Sequence, residues 1–164
     1  MSLKKILPIE QAIQKVDALK RDGKRVVFTN GCFDVLHPGH VRYMREARSM
    51  GDFLIVAVNS DRGVRELKGA GRPIFPQSER AEILAALESV DAVTIFDEST
   101  PLELIQRMRP SVLVKGGDWR LDQIVGREVV EAYGGKVVAV PPAPGFSTSS
   151  IIGSIVRTAR RADS

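Results

Sequence analysis

Apolar residues along this chain alternate between two patterns. Five short runs rich in β-branched residues, Arg25–Thr29, Phe53–Asn59, Ala92–Phe96, Ser111–Lys115 and Lys136–Val140, have the length of strands and are apolar enough to be covered on both faces. Between them apolar positions recur at helical spacing. Val41, Met44, Ala47 and Arg48 share a face of one helix, and Ala81, Leu84, Ala85 and Glu88 follow the spacing of a second. Leu102, Ile105 and Met108 mark a third, stopped by Pro110. Ile124, Val125, Val129 and Ala132 mark a fourth, closed by Gly134-Gly135. Pro8 to Asp22 predicts an extra helix before the first strand, and Ser149 to Arg160 a last one after the final strand.

Strand–helix–strand repetition implies a parallel sheet with right-handed crossovers and helices on both faces. The expected fold class is therefore α/β, a doubly wound, Rossmann-like parallel sheet. Ligands of such sheets bind beyond the carboxyl ends of the strands, so residues with chemistry to perform should fall just after strands. No low-complexity linker or internal repeat divides the chain, and residues 1–164 are expected to form one domain.

Composition narrows the class. No apolar run approaches the roughly 20 residues needed to cross a bilayer, and Pro8 and Glu10 interrupt the N-terminus before an apolar signal region can form. The expectation is a cytoplasmic protein with no membrane partner. Cys32 is the only cysteine, which excludes an internal disulfide and a multi-cysteine zinc site. A net charge of +4 raises the question of nucleic acid. The positive residues are scattered, however, except for Arg157, Arg160 and Arg161 near the end, and aromatics make up only 5%. No nucleic-acid partner is expected; thinly spread cations suit phosphorylated small molecules equally well.

The most specific segment is TNGCFDVLHPGH, residues 29–40, which begins where the first strand ends and stops where a helix begins. Pro38 suits a first helical position, having no N–H to lose, and Gly39 lets a ligand approach the backbone. The amides and dipole of that helix start favour phosphate. His37 and His40, the only histidines, lie three residues apart and so share one side of the first turn. There they can donate hydrogen bonds to a phosphate as charge develops in a displacement. Helix capping and packing at the core edge are the plainer alternative. A zinc site from Cys32, Asp34, His37 and His40 matches no established spacing. Absence of G-x-x-x-x-G-K-[ST] and of G-x-G-x-x-G argues against a P-loop ATPase and a dinucleotide oxidoreductase.

Other segments also follow strands. Asn59-Ser60-Asp61 fits either a turn or a ligand contact. Lys68 lies in a glycine-rich stretch, LKGAGR, and on a mobile loop could close over phosphates; Arg72 is a weaker candidate for the same task. In KGGDW, two glycines expose backbone to a flat ligand, and Trp119 either stacks there or packs in the core. Ser147, Thr148, Ser149 and Ser150 place four hydroxyls at a helix start, a second phosphate-friendly terminus.

HPGH resembles the HxGH signature of the cytidylyltransferase-like nucleotidyltransferase superfamily. Residues 24–152, through TNGCFDVLHPGH, AVNSDRGVRELKGAGRPI, ERAEILAALESVD, VLVKGGDW and GFSTSSII, resemble more narrowly the heptose 1-phosphate adenylyltransferases. These include the adenylyltransferase domain of bifunctional heptose-phosphate kinase/adenylyltransferases. Residues 1–23 stand outside the resemblance as a helical extension. The resemblance implies AMP transfer from ATP to D-glycero-β-D-manno-heptose 1-phosphate, with Mg2+ held mainly by phosphates and water rather than by the protein. It implies catalytic roles for His37, His40 and Lys68. Nucleotide contacts are implied at Thr29, Asn30, Gly31, Phe33, Gly39, Gly116, Asp118, Trp119, Ser147, Thr148 and Ser149. Weaker substrate contacts are implied at Asp34, Asn59, Asp61, Arg72 and Arg80. A heptose 7-phosphate kinase upstream, as a separate protein, and a homodimer are further expectations. The alternatives are a cytidylyltransferase or adenylyltransferase acting on another small phosphate such as glycerol 3-phosphate, and a non-catalytic nucleotide-binding module. One departure stands out. Glycerol-phosphate cytidylyltransferases carry an arginine three residues before the glycine matching Gly145, where this chain has Pro142.

Overall fold

In the computed structural model, which describes residues 2–162, strands β1 (Val26–Gly31), β2 (Phe53–Asn59), β3 (Ala92–Phe96), β4 (Val112–Gly116) and β5 (Lys136–Val140) form one sheet. Every pairing is parallel, and the order is β3-β2-β1-β4-β5. The doubly wound α/β class is as the apolar runs imply. β1 begins one residue later than its apolar run and extends further, because Asn30 and Gly31 continue the ladder opposite Ala57 and Val58. Backbone pairing, rather than side-chain apolarity, sets its end.

Alternation along the strands sorts the core into two layers. Val27, Leu54, Val56 and Val58 face one side with Met44 and Ala47 of α2 (Pro38–Ser49) and Ala81 and Leu84 of α4 (Gln77–Ala85). Val26, Phe28, Ile55 and Ala57 face the other. There they meet Val16 of α1 (Ile9–Arg21), Ile105 and Met108 of α5 (Leu102–Met108) and Val130 of α6 (Arg127–Ala132). Each such fully buried aliphatic side chain contributes about 1.5–3 kcal/mol relative to exposure, so both faces of the sheet are anchored.

Two helical expectations change. Asp61–Lys68 forms α3, capped by Ser60, whose Oγ accepts the Gly63 N–H at 3.1 Å, and ended by Gly69 at φ 96°. Lys68 therefore sits on the last turn of a helix and not within a loop. Ile124 and Val125 lie outside α6: a short 3-10 turn (Leu121–Gln123) comes before them, and Gly126 at φ 88° restarts the chain. A side chain at 126 would meet Ile105 at 2.7 Å, so that break is also a packing contact. The last helix, α7 (Thr148–Ala162), buries none of its residues. Among the described residues no helix is long and apolar enough to cross a membrane.

Candidate active site

Strand order reverses between β1 and β4, and the crevice beyond their carboxyl ends is where a doubly wound sheet holds its ligand. The histidine loop leaves β1 and the KGGDW segment leaves β4, so both flank this point. Between β1 and α2 the chain turns through two left-handed residues, Phe33 at φ 48° and Val35 at φ 54°. A β-branched residue in that region is strained by about 1–3 kcal/mol. Around these residues Phe33 is packed in the core, and the carboxylate of Asp34, which lies between them, accepts three hydrogen bonds.

His37 is the N-cap of α2, Pro38 its first residue and His40 its third. The two imidazoles stack with centroids 3.9 Å apart. Nδ1 of His40 accepts the backbone N–H of His37 at 3.3 Å, which leaves the proton on Nε2. Gly39 between them is required by space, since a Cβ there would meet the His37 ring at 2.9 Å and Phe146 at 3.2 Å. Burial, then the neighbouring His37, pushes the His40 pKa down to about 4; burial also lowers that of His37. Both rings are thus neutral donors at neutral pH.

This has a measurable consequence. The unfolded chain takes up a proton on His40 near 6.5, while the folded one resists until about 4. Stability carried by the neutral ring is therefore present above pH 6.5 and is lost as pH falls toward 4. NMR titration of the two histidine Cε1 protons should give both midpoints below 6.5, with His40 the lower. A His40 midpoint at 6.5 would remove the buried, neutral donor.

Asp34, 2% exposed, joins two walls of the site. Its carboxylate accepts from Arg72 Nε at 2.7 Å, the Ile74 amide at 2.7 Å and the Phe75 amide at 3.0 Å. Its backbone carbonyl accepts from Thr148 Oγ1 at 3.0 Å. Burial would raise its pKa, but the two amides and the guanidinium outweigh burial and hold it below the ordinary carboxylate value. Asp34 and Arg72 are therefore committed to each other and to the chain, where the sequence suggested substrate contacts. Arg80 departs further from that expectation. It is 0% exposed and donates to the carbonyls of Phe75, Cys32 and Asn59 and to Asp61 Oδ1. The backbone carbonyl of Asn59 and one carboxylate oxygen of Asp61 are thereby tied to it. Thr29 is likewise buried, its hydroxyl 2.5 Å from that of Tyr43.

The remaining expected residues lie at the ends of β1, β4 and α3 and at the start of α7. Gly116 ends β4, and a Cβ there would meet the Tyr43 ring at 2.9 Å. Gly117 takes φ 121° with its amide on the Val140 carbonyl, and Trp119 beyond it is 46% exposed, which rules out a core role. Asp118 is exposed beside it. Asn30 and Gly31 are half-buried at the end of β1, with Lys115 Nζ 3.5 Å from the Asn30 carbonyl. Ser147 caps α7 by accepting the Ser150 amide at 3.0 Å; Ser149 is exposed, and Thr148 is bound to Asp34. Lys68 is exposed, and its charge acts on both Cys32 and Lys115.

Three residues escaped the sequence reading. Phe146 stacks on His37 at 5.9 Å with planes 15° apart, and Arg42 lies 5.2 Å from the centroid of its ring. Tyr43 ties β1 to β4 through Thr29 and the Val114 carbonyl. Lys115 lies 5.5 Å over the Trp119 ring, and burial, the largest influence, lowers its pKa. Lys115 stood inside the KGGDW segment and Phe146 inside GFSTSS, so their positions gave the signal; Tyr43 gave none.

Neutral imidazoles therefore stand at the start of α2, and the charges of Lys68 and Lys115 act on the end of β1 and its loop. Among the described residues no three His, Cys, Asp or Glu side chains gather as metal ligands.

Known proteins match this architecture. The bifunctional protein HldE of Geobacter sulfurreducens is 58% identical over 142 residues, covering 87% of this chain and 29% of that protein. That of Rhodopseudomonas palustris strain HaA2 is 59% identical over 133 residues, covering 81% and 27%. The chain thus spans somewhat under a third of the length of these curated relatives. A lipopolysaccharide core biosynthesis protein from Thermoplasma volcanium superposes with a TM-score of 0.61 at 28% identity, covering 74% of this chain and 98% of that one. Pantoate-beta-alanine ligase from Francisella tularensis, at 18% identity and a TM-score of 0.59 over 85% of this chain and 68% of its own, shares the fold alone. Residues 28–159, from the middle of β1 well into α7, match the cytidylyltransferase-like family, and this chain belongs to it.

Proposed function

We propose that this protein transfers AMP from ATP to D-glycero-β-D-manno-heptose 1-phosphate, giving ADP-heptose and pyrophosphate for the inner core of lipopolysaccharide. The observation that carries the reaction type is the stacked, neutral pair His37 and His40 at the start of α2, beside the strand-order reversal. The identity to HldE proteins supports the choice of substrate.

A phosphate oxygen of the sugar 1-phosphate attacks the α-phosphorus of ATP, forming one O–P bond as the bond to the pyrophosphate oxygen breaks. The nucleophile is already an anion, so no side chain has to remove a proton. His40 donates through Nε2–H to oxygens gaining charge, and His37 stands stacked beside it. Lys68 and Lys115 offset the charge of the triphosphate and of the leaving pyrophosphate, and the α2 amides add the helix dipole. Trp119, exposed and held under Lys115, offers a face for the base.

Magnesium is implied by the family. The donor set does not build a cage for it: the one carboxylate of the β1–α2 loop, Asp34, is taken up by Arg72 and two amides. Any ion would arrive on the nucleotide's phosphates and water, as Mg2+ commonly does.

Pyrophosphate release over a grid of nucleoside triphosphates and small phosphates tests the proposal. ATP with heptose 1-phosphate is expected to give the highest kcat/KM. Release from CTP with glycerol 3-phosphate, and none from ATP with the heptose, would overturn the substrate assignment and leave nucleotidyl transfer standing.

A further inference from the structure

At the opposite edge of the sheet, where the strands begin, an open cavity of about 440 Å³ lies between α1, α5, α6 and the starts of β1, β4 and β5. Its charged lining is Lys20, Arg25, Arg109 and Lys136, with no carboxylate among the lining residues. We propose that this cavity binds an oligophosphate group, either free or as part of a phosphorylated small molecule, at a site separate from the histidine crevice.

Two of the cations are positioned by neutral groups rather than by carboxylates. Arg109 lies 4.7 Å over the Tyr133 ring, which fixes its guanidinium at the rim. Lys20 is drawn inward by one hydrogen bond to the Met108 carbonyl at 3.2 Å and keeps two donors. Among the described residues, none of the four enters one of the eight ion pairs, all of which are formed by other arginines. Ser111 Oγ accepts the Val26 amide at 3.2 Å, so its own proton is free to be donated. The site is large enough for a ligand of a few phosphate groups, and because it is open its charges act most strongly at low ionic strength.

The competing explanation is that these cations merely complement helix carboxyl ends, since parallel α/β connectivity brings the ends of α1, α5 and α6 here. Each end carries roughly half a negative charge, against four whole positive ones. Asp52, which accepts the Arg25 amide at 2.8 Å, removes one more. A positive excess of more than one charge remains. Size and charge together favour a multiply charged anion over a single carboxylate.

The test is an NMR titration of the full-length, uniformly 15N-labelled chain with inorganic pyrophosphate and, separately, with ADP. Saturable shifts are expected at the amides of Ser111, Gly134, Gly135 and Lys136, with Kd about 1 mM or tighter at low salt. The double variant R109A/K136A, both exposed, should abolish them while shifts at Gly39 and His40 persist. Equal shifts with both ligands would assign recognition to the phosphates alone. Additional movement of the Tyr133 ring with ADP would add a stacked base. Absence of saturation at these amides, identical shifts from sodium chloride at matched ionic strength, or unchanged binding in R109A/K136A would overturn the proposal. Loss of shifts at Gly39 alone would count against the crevice and not against this cavity.

Discussion

Replacing His40 by alanine is expected to lower turnover by about 10²–10³-fold, the usual cost of removing a donor that serves only the transition state, while the chain still folds. The proposed catalytic part of this residue and its structural part can be separated. Nδ1 accepts the His37 amide, and Nε2 carries the remaining proton. Asparagine in the His40→Asn variant places an acceptor near the Nδ1 position and nothing at Nε2. That variant should keep the helix start, with an unfolding midpoint close to the parent, and still be as inactive as His40→Ala. Steady-state pyrophosphate release and urea unfolding measure the two effects. If His40→Asn restores turnover, the histidine is a cap, and the proposed role of Nε2 is wrong.

The second large effect concerns Arg80. Its guanidinium is 0% exposed and bonds the loop before α4, the β1–α2 loop and the end of β2, with distances from 2.6 to 3.0 Å. Arg80→Met keeps bulk but leaves three carbonyls and Asp61 without their donors. Breaking one side of such a buried charged network costs about 3–5 kcal/mol. Arg80→Lys should recover little of it, because an ammonium cannot reproduce a fork with donors in three directions. Urea unfolding of the two variants gives the number. A loss under about 1 kcal/mol for Arg80→Met would mean that the network is not a framework. Activity should fall with stability, since the same bonds fix Cys32 and Asn59 beside the crevice.

Arg80 also shows where reading the sequence stops. An arginine in the first turn of an exposed-looking helix carries no mark of burial; its acceptors lie 5, 19, 21 and 48 residues away. The strands were legible because full burial on both faces demands apolar runs, and α2 because proline, glycine and two histidines constrain one turn. α3 was harder. It is eight residues long with only Gly63 and Val64 buried, so its apolar period hardly exists. Its signals were instead at its ends, Ser60 before and Gly69 after. Ile124 and Val125 misled for the opposite reason: their spacing continues that of α6 across Gly126, whose left-handed φ breaks the helix. Of the site, the histidines, KGGDW and the hydroxyl-rich start of α7 were visible as motifs. The stacking of Phe146 on His37 depends on a contact between segments more than a hundred residues apart, which no local pattern encodes.

Asp34 links the segment carrying Arg72, Ile74 and Phe75 to the start of α7, through its carboxylate on one side and its carbonyl on the other. Those two walls consequently have no independent hinge. Freeing either one is therefore expected to loosen the residue that anchors the other, so a change made in one wall should be felt in both.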